Sequence, residues 1–266
     1  MIPEMVMSTG TVAGGAFAYA KSRRNGLYRE LADRLVQIAE AREFNPETAL
    51  RRKPPSFVDR LAVVPDFLPV QVLMALKAEA EQLAAPERGF VPTHKKGGTV
   101  AYETLIASAP VIVSIYQSPD LIGFVSRLVA APLQPTPIYD QSSLSLLFYD
   151  KPGDHIGWHF DHNFYWGRHF TVLIAIHNEG RAAGGLSHAV LNARVGGREI
   201  GISTPPNTIV IFEGARVQHK VTPILEGERR LILSMTYCED PRSFWWQGAM
   251  RRMKDTAFFG IRALWT

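Results

Sequence analysis

The sequence predicts a mainly β protein, either a sandwich or a closed barrel, with flanking helices. After residue 137, short apolar or alternating runs follow one another and are separated by regularly spaced turn residues, which is typical of such folds. Before residue 137, apolar residues recur instead at the spacing of an amphipathic helix. A chain of 266 residues requires only one such domain.

Residues 1–136 are predicted to form a helical support region for the β core. Helices are expected over residues 27–42 and 69–84, and a third helical region between about residues 108 and 131, because each stretch has apolar residues at helical spacing. Residues 86–104 contain several prolines and glycines and are predicted to be loop, with one short strand near residues 100–103. We assign these elements to packing rather than to chemistry.

Residues 137–240 are predicted to form the β core, and residues 241–266 an aromatic and basic tail that packs on it. A hairpin is expected around Gly196-Gly197, because two glycines between strand-like runs suit a tight turn. The other expected strands are Ser143–Tyr149, the stretch that contains His159, Phe170–Ile176, Thr208–Phe212 and Leu231–Tyr237.

The composition is that of an ordinary globular protein, with 46% apolar and 20% charged residues. The formal net charge is +4, and the basic residues form short scattered clusters such as residues 251–254, which are expected to be solvated surface. Nucleic acid is therefore not an expected partner. The single cysteine, Cys238, allows no internal disulfide. Residues 1–20 are too weakly apolar for a signal peptide or a membrane span, so we expect a cytoplasmic protein without a membrane partner.

The segment Gly157-Trp158-His159-Phe160-Asp161 carries the main chemical signal. Side chains alternate between the faces of a strand, so His159 and Asp161 point the same way. His219, which follows the apolar run Thr208–Phe212, supplies a third candidate ligand. Two imidazoles and one carboxylate at three corners of an octahedron form the ligand set of non-haem iron(II) oxygenases.

The surrounding residues extend this pattern. A strand ending in Tyr149 leads through the turn Pro152-Gly153 to the His159 strand, and an arginine after Gly227 opens a later strand. In these features residues 140–238 resemble the prolyl-hydroxylase-like branch of the Fe(II)/2-oxoglutarate-dependent oxygenases. The resemblance implies a double-stranded β-helix, the cupin-like jelly roll.

The resemblance also implies the cofactors and the residues that hold them. Fe(II) would be bound by His159, Asp161 and His219, with 2-oxoglutarate and O2 as cosubstrates. The distal carboxylate of 2-oxoglutarate would bind Arg229 or Arg230; a guanidinium suits this role because it can donate two parallel hydrogen bonds. Ser234, four residues after Arg230 and on the same strand face, favours Arg230. Tyr149 and Thr171 are further candidates for holding 2-oxoglutarate.

The retained Asp161 bears on the type of reaction. Related iron halogenases have a small residue at this position, so the resemblance implies hydroxylation of an unactivated C–H bond rather than halogenation. The leading substrate is a free amino acid or similar metabolite, because Trp245-Trp246 resembles the amino-acid hydroxylase and halogenase group. Candidate substrate contacts are His162, Phe164, Trp166, Trp245 and Trp246.

Two alternative functions stay open from the sequence. The first is a hydroxylase of prolyl or other residues in a protein or peptide. The second is a cupin-like metal-binding module without 2-oxoglutarate chemistry, against which the candidate arginine argues. Most of the histidines without a partner at the ligand spacing are expected to be exposed or hydrogen-bonded; these are His155, His162, His169, His177 and His188. The sequence does not indicate an oligomeric state.

Overall fold

The computed structural model describes residues 4–41, 55–83, 87–91 and 95–259. In this part of the chain, one antiparallel sheet of twelve strands curls around a central cavity, and helices cover its outer face. The strands are β1 Leu61–Val64, β2 Glu87–Val91, β3 Lys95–Val100, β4 Gln134–Pro135, β5 Leu144–Tyr149, β6 His155–His159, β7 Trp166–Glu179, β8 Leu191–Val195, β9 Arg198–Ile202, β10 Ile209–Phe212, β11 Gln218–Val221 and β12 Arg229–Asp240.

The sheet order brings the two halves of the core together. Strands run in the order β1-β10-β7-β12-β5-β3-β6-β11-β8-β9, with β2 paired to β3 and β4 paired to β12. Strand β3 joins the halves, because residues 98–100 pair with β5 while Lys95 and Lys96 pair with β6. Side chains from β5, β6, β7, β11 and β12 line the same cavity, so the sheet folds over on itself as in a jelly roll.

Strand β12 shows how alternation separates the core from the cavity. Leu231, Leu233 and Met235 are buried in the main hydrophobic cluster together with side chains from the helices. Arg230 and Ser234, with the opposite parity, line the cavity instead. The largest apolar cluster therefore lies between the sheet and the helices, on the far side of the sheet from the cavity.

The helices are α1 Glu4–Ala41, α2 Val70–Gln82, α3 Tyr102–Ser108, α4 Pro110–Tyr116, α5 Pro119–Val129 and α6 Trp245–Phe259. The helices predicted over residues 27–42 and 69–84 are confirmed as part of α1 and as α2, although residues 42 and 84 lie outside the described residues. Among the described residues, no helix is long and apolar enough to span a membrane.

Of the sequence-based expectations for residues 86–131, one is confirmed and one is wrong. The helical region predicted between residues 108 and 131 is confirmed and consists of two helices, α4 and α5. A new helix begins at Pro119 because the Ser118 hydroxyl caps α5 by accepting a hydrogen bond from Leu121 N at 3.4 Å and Pro119 occupies the first helical position. The strand expected near residues 100–103 ends at Val100, and Tyr102 begins α3. The supposed support region thus also contributes strands β1 to β4.

The hairpin around Gly196-Gly197 is confirmed, since β8 and β9 pair on either side of it. Both glycines have positive φ, at 56° and 77°, as the tight turn requires. The tail forms α6 up to Phe259, which covers part of the segment predicted to pack on the core; residues 260–266 lie outside the described part of the chain.

Candidate active site

Strand pairing brings the three candidate metal ligands together. His159 on β6 lies directly opposite His219 on β11, and their ring centroids are 4.1 Å apart. Asp161 follows β6, and its Oδ1 is 3.7 Å from His159 Nε2 and 3.8 Å from His219 Nε2. One ligand atom from each residue lies within 4.8 Å of the others, close enough to hold one metal ion.

Backbone carbonyls orient both imidazoles. His159 Nδ1 lies 2.8 Å from the Gly157 carbonyl oxygen, and His219 Nδ1 lies 3.0 Å from the Val217 carbonyl oxygen. A carbonyl oxygen can only accept, so each Nδ1 carries a proton in these hydrogen bonds. Each Nε2 is then left with a lone pair directed toward the other ligands, as metal binding requires.

The Asp161 carboxylate is held from two sides. The Thr171 hydroxyl donates to Oδ2 at 2.5 Å, and Asp161 N donates to the Gly214 carbonyl oxygen at 3.0 Å. Oδ1 therefore remains for the metal. Burial tends to raise the pKa of Asp161, but the two ligand histidines and the Thr171 hydrogen bond outweigh it and hold this pKa below its usual value.

Arg230 lies at another part of the same cavity and is 1% exposed. Its Nη2 donates to Thr204 Oγ1 at 3.3 Å, while Nε and Nη1 have no hydrogen-bond acceptor among the residues that the structure describes. The guanidinium carbon lies 5.2 Å from the centroid of the Tyr149 ring. Burial raises the pKa of the Tyr149 hydroxyl to about 12 although Arg230 opposes this, so the hydroxyl is protonated at neutral pH.

The neighbouring Arg229 points to the opposite face of β12. It forms a two-fold hydrogen-bonded ion pair with Glu81, at 2.6 Å and 2.9 Å, on the protein surface. Arg229 does not line the cavity, whereas Arg230 and Ser234 do. Thr171 also lines it, and its hydroxyl donates to Asp161 Oδ2.

Of the predicted substrate contacts, His162 lines the cavity, as does Phe160. Phe164 does not: it is buried beneath His162, and their parallel rings are 5.7 Å apart. Phe164 instead packs in a small cluster with Tyr165 and Cys238.

The three predicted tryptophan contacts lie outside the cavity, so the structure corrects these assignments. Trp166 packs against Phe244 at the start of β7, with a centroid distance of 5.3 Å. Trp245 is 86% exposed, and the Trp246 ring stacks with the Phe244 ring at a centroid distance of 6.2 Å. The first turn of α6 lies at the surface, and a later turn of the helix reaches the cavity.

Several polar residues of the cavity wall escaped sequence reasoning. Lys95, Asp140, His169 and Lys254 all line it, and all are largely buried. His169 was expected to be exposed or hydrogen-bonded, but it is 4% exposed, its Nδ1 has no partner among the described residues, and burial lowers its pKa. Lys254 was assigned to a solvated basic cluster. No local pattern distinguishes these residues from surface groups.

The cavity has a volume of about 200 Å³ and holds the candidate ligands and Arg230 together. Several solved structures have a similar overall fold. SnoN, the non-heme alpha ketoglutarate dependent epimerase from nogalamycin biosynthesis, shares 15% identity with a TM-score of 0.57, over 73% of this chain and 80% of that chain. AviO1 from Streptomyces viridochromogenes shares 17% identity with a TM-score of 0.53, over 75% and 97%. A Pseudomonas putida prolyl-4-hydroxylase shares 18% identity with a TM-score of 0.50, over 69% and 94%.

These likenesses show the fold, a jelly roll like that of Fe(II)/2-oxoglutarate-dependent oxygenases. Residues 47–196, more than half of the chain, match the model of the Halogenase D family, and the protein belongs to that family. The matched residues include His159 and Asp161 and end before His219 and Arg230. A search of curated protein sequences found no significant match.

Proposed function

We propose that this protein is an Fe(II)/2-oxoglutarate-dependent oxygenase that hydroxylates a C–H bond of a small molecule. The observation that carries the proposal is the placement of His159, Asp161, His219 and Arg230 on one cavity. SnoN, a protein of similar fold, has been solved in complex with Fe3+ and alpha ketoglutarate, which supports the same cofactors here.

The donor atoms of the cavity fit both cofactors. Two imidazole Nε2 atoms and one carboxylate oxygen suit Fe(II), and three ligands leave other coordination positions for cosubstrate and oxygen. The two unsatisfied buried donors of Arg230 suit a carboxylate, because burying a charged donor without an acceptor is costly. The Tyr149 hydroxyl and Ser234 lie on the same wall.

Each group of the chain has a separate task. His159, Asp161 and His219 hold the metal, Thr171 and Gly214 position the carboxylate ligand, and Arg230 orients 2-oxoglutarate. Fe(II) with 2-oxoglutarate and O2 supplies the oxidising power for C–H cleavage when bound. The apolar walls, which include Leu173 and Ile232, limit water around the reacting groups.

Asp161 is the reason to propose hydroxylation in a family named for a halogenase. Its Oδ1 takes the ligand position at which related iron halogenases have a small residue. Because the Thr171 hydrogen bond holds the carboxylate in place, Asp161 does not vacate this position for a halide. In an assay with chloride and bromide present, we expect products that gain oxygen and no halogen; a halogenated product would contradict the proposal.

The cavity supports a small substrate. A volume of about 200 Å³ lies below the usual range for pockets of drug-sized ligands, which favours a compact substrate. We therefore propose a free amino acid or similar metabolite as substrate, and the polar wall formed by Lys95, Asp140 and Lys254 suits such a molecule.

Anaerobic titration of the metal-free protein with Fe(II) and then 2-oxoglutarate tests the cofactors directly. The wild type should develop the visible charge-transfer band of the metal chelate. Asp161→Ala should weaken the band because metal is lost. Arg230→Ala should require a higher 2-oxoglutarate concentration to develop the same band. Arg229→Ala is the matched control, because Arg229 pairs with Glu81 at the surface and should leave the titration unchanged.

The titration also separates the alternatives. A band in the wild type that is equally sensitive to Arg229→Ala and Arg230→Ala would refute the assignment of Arg230. Folded, iron-loaded wild type without any band would refute the use of 2-oxoglutarate and favour a cupin-like metal-binding module.

A further inference from the structure

We propose that His169 donates a hydrogen bond from its Nε2 atom to an oxygen atom of the substrate. This inference rests on the proposed function and extends it to the way in which the substrate is held. His169 lies on β7, is 4% exposed and lines the cavity. The proposed binding of metal and 2-oxoglutarate does not use this imidazole.

Strand register places His169 beyond the metal ligands. Thr171, whose hydroxyl donates to Asp161, marks the level of the metal site on β7. Arg230 pairs with Asn178, which lies toward one end of β7 from this level. His169 lies two residues from Thr171 toward the other end, a distance of about 7 Å along a strand. The imidazole is therefore on the opposite side of the metal site from the proposed anchor of 2-oxoglutarate, in the part of the cavity that is left for the substrate.

Both ring nitrogens of His169 lack a hydrogen-bond partner among the residues that the structure describes. Nδ1 is buried, and no hydrogen bond of Nε2 occurs in the described part of the chain. The imidazole stacks on the Tyr165 ring at a centroid distance of 6.2 Å, but the Tyr165 hydroxyl donates to Asp140 at 2.7 Å. A buried polar group without a partner costs free energy, so a ligand that supplies the partner gains affinity.

The proton of the neutral ring is expected on Nε2. Burial lowers the pKa of His169 and outweighs Asp161 and Asp140, which raise it, so the imidazole is neutral at neutral pH. A neutral imidazole has one N–H donor and one lone-pair acceptor. Buried N–H groups without a partner are rarer than buried acceptors without one, so the buried Nδ1 is better suited to the lone pair. Nε2 then carries the proton and can donate it into the cavity.

The neighbouring polar groups indicate which kind of substrate atom His169 contacts. Asp140 accepts hydrogen bonds from the Tyr165 hydroxyl, from Ser142 N at 3.0 Å and from Lys254 Nζ at 3.2 Å. The protein itself thus engages this carboxylate, and a substrate ammonium would have to compete with Lys254 for it. His169 with its proton on Nε2 adds a donor to the wall and no acceptor. The site therefore favours an oxygen of the substrate, from a carboxylate or a neutral carbonyl group, over a group that can only donate.

Three substitutions separate the position of the donor from the shape of the ring. His169→Phe keeps an aromatic ring and removes both nitrogens. In His169→Gln the amide nitrogen is as many bonds from Cβ as Nε2 is, whereas in His169→Asn it is as many bonds from Cβ as Nδ1 is. We expect His169→Gln to retain the binding of a substrate oxygen, and His169→Asn and His169→Phe to lose it. The two amide variants decide the question if His169→Phe does not fold.

His177 provides the matched control on the same strand. It is 6% exposed, and its Nδ1, which lies 3.5 Å from Glu179 Oε1, forms no hydrogen bond among the described residues. Unlike His169, His177 does not line the cavity. His177→Phe therefore removes a similarly buried imidazole from β7 without altering the cavity wall.

The experiment uses isobutyrate and isobutyramide as oxygen-bearing probes and isobutylammonium as a donor-only probe, on the full chain loaded with Zn2+ and 2-oxoglutarate. Histidines are labelled with 15N, and the His169 signals are identified by their loss in His169→Gln. Two-bond 1H–15N spectra should show the proton of His169 on Nε2. An oxygen-bearing probe should shift the Nε2 signal, whereas isobutylammonium should not, and the His177 signals should stay unchanged. Binding of that probe should be at least roughly five-fold weaker in His169→Phe and His169→Asn than in the wild type, His169→Gln or His177→Phe.

A shift caused by either oxygen-bearing probe supports the proposal, and the probe with the larger effect identifies the substrate group as a carboxylate or a neutral carbonyl. The proposal is overturned if Nδ1 carries the proton, if neither of these probes shifts the His169 signals up to its solubility limit, or if His169→Phe and His169→Asn bind the probe as the wild type does. It is also overturned if His169→Phe weakens the 2-oxoglutarate titration as much as Arg230→Ala does, which would assign His169 to the cosubstrate. Failure of the proposed function gives a different pattern, in which the wild type shows no chelate band with Fe(II) and 2-oxoglutarate, whatever the probes do to His169.

Discussion

Replacing Gly214 by alanine should disturb the metal site through a single methyl group. A Cβ at this position would lie 2.7 Å from Thr171 Oγ1 and 2.8 Å from the Asp161 Cβ, and would also overlap Asp161 Oδ2. Ordinary van der Waals contact begins near 3.4 Å, so these atoms would have to move by about 0.7 Å. Gly214 also accepts the hydrogen bond of Asp161 N, so its backbone is tied to the residue it would push.

The expected effect has two parts. Overpacking of this kind costs about 1–3 kcal/mol in the free energy of unfolding. Displacing a ligand and its hydrogen-bonding partner lowers metal affinity by roughly 10- to 100-fold. The loss of metal affinity should therefore exceed what the change in stability of the metal-free protein would suggest.

Chelator competition measures the Fe(II) affinity, and thermal unfolding of the metal-free protein measures stability. Gly248→Ala is the matched control, because no atom lies within 4 Å of its added Cβ and the residue lies in α6. Gly248→Ala should leave Fe(II) affinity unchanged and should not lower the Tm. Unchanged Fe(II) affinity in Gly214→Ala would show that the backbone yields instead of Asp161, and the reasoning would fail.

Other substitutions test the contacts around the cavity and the fold. Thr171→Val should weaken Fe(II) binding, whereas Thr171→Ser should restore it, because only the hydroxyl donates to Asp161; chelator competition distinguishes the two. Burial raises the pKa of Glu228, but three backbone N–H donors and His188 outweigh it and lower this pKa to about 2. The contribution of Glu228 to stability is therefore present above its ordinary pKa near 4.5 and is lost as the pH falls toward 2. Urea unfolding of wild type and Glu228→Gln should differ most at neutral pH and converge in acid; a constant difference would contradict this. Asn207→Ala should cost about 1–3 kcal/mol in urea unfolding, because it leaves the backbone N–H and carbonyl of Leu68 without their 2.8 Å partners; a loss below 0.5 kcal/mol, taken as roughly the scatter of surface substitutions, would count against it.

Local alternation accounts for what the sequence alone determined about the site. His159 and Asp161 are two positions apart, and Arg230 and Ser234 are four positions apart on β12. Side chains alternate between the two faces of a strand, so this even spacing alone places each pair on one face. The Gly196-Gly197 hairpin is similarly local, because two glycines suit the positive φ angles of its turn. Such features depend on neighbouring residues and can be read before the fold is known.

Only the tertiary structure decided which distant residues reach the cavity. Lys95 and Lys254 meet there because β3 bridges the two halves of the sheet and a later turn of α6 returns to the wall, while Trp245 in the first turn of that helix remains in solvent. In the sequence, Lys254 is one member of a basic cluster, whereas Trp245 is an aromatic residue of the kind that commonly lines binding pockets. Burial depends on how elements pack over long separations, and short-range periodicity carries no information about that packing.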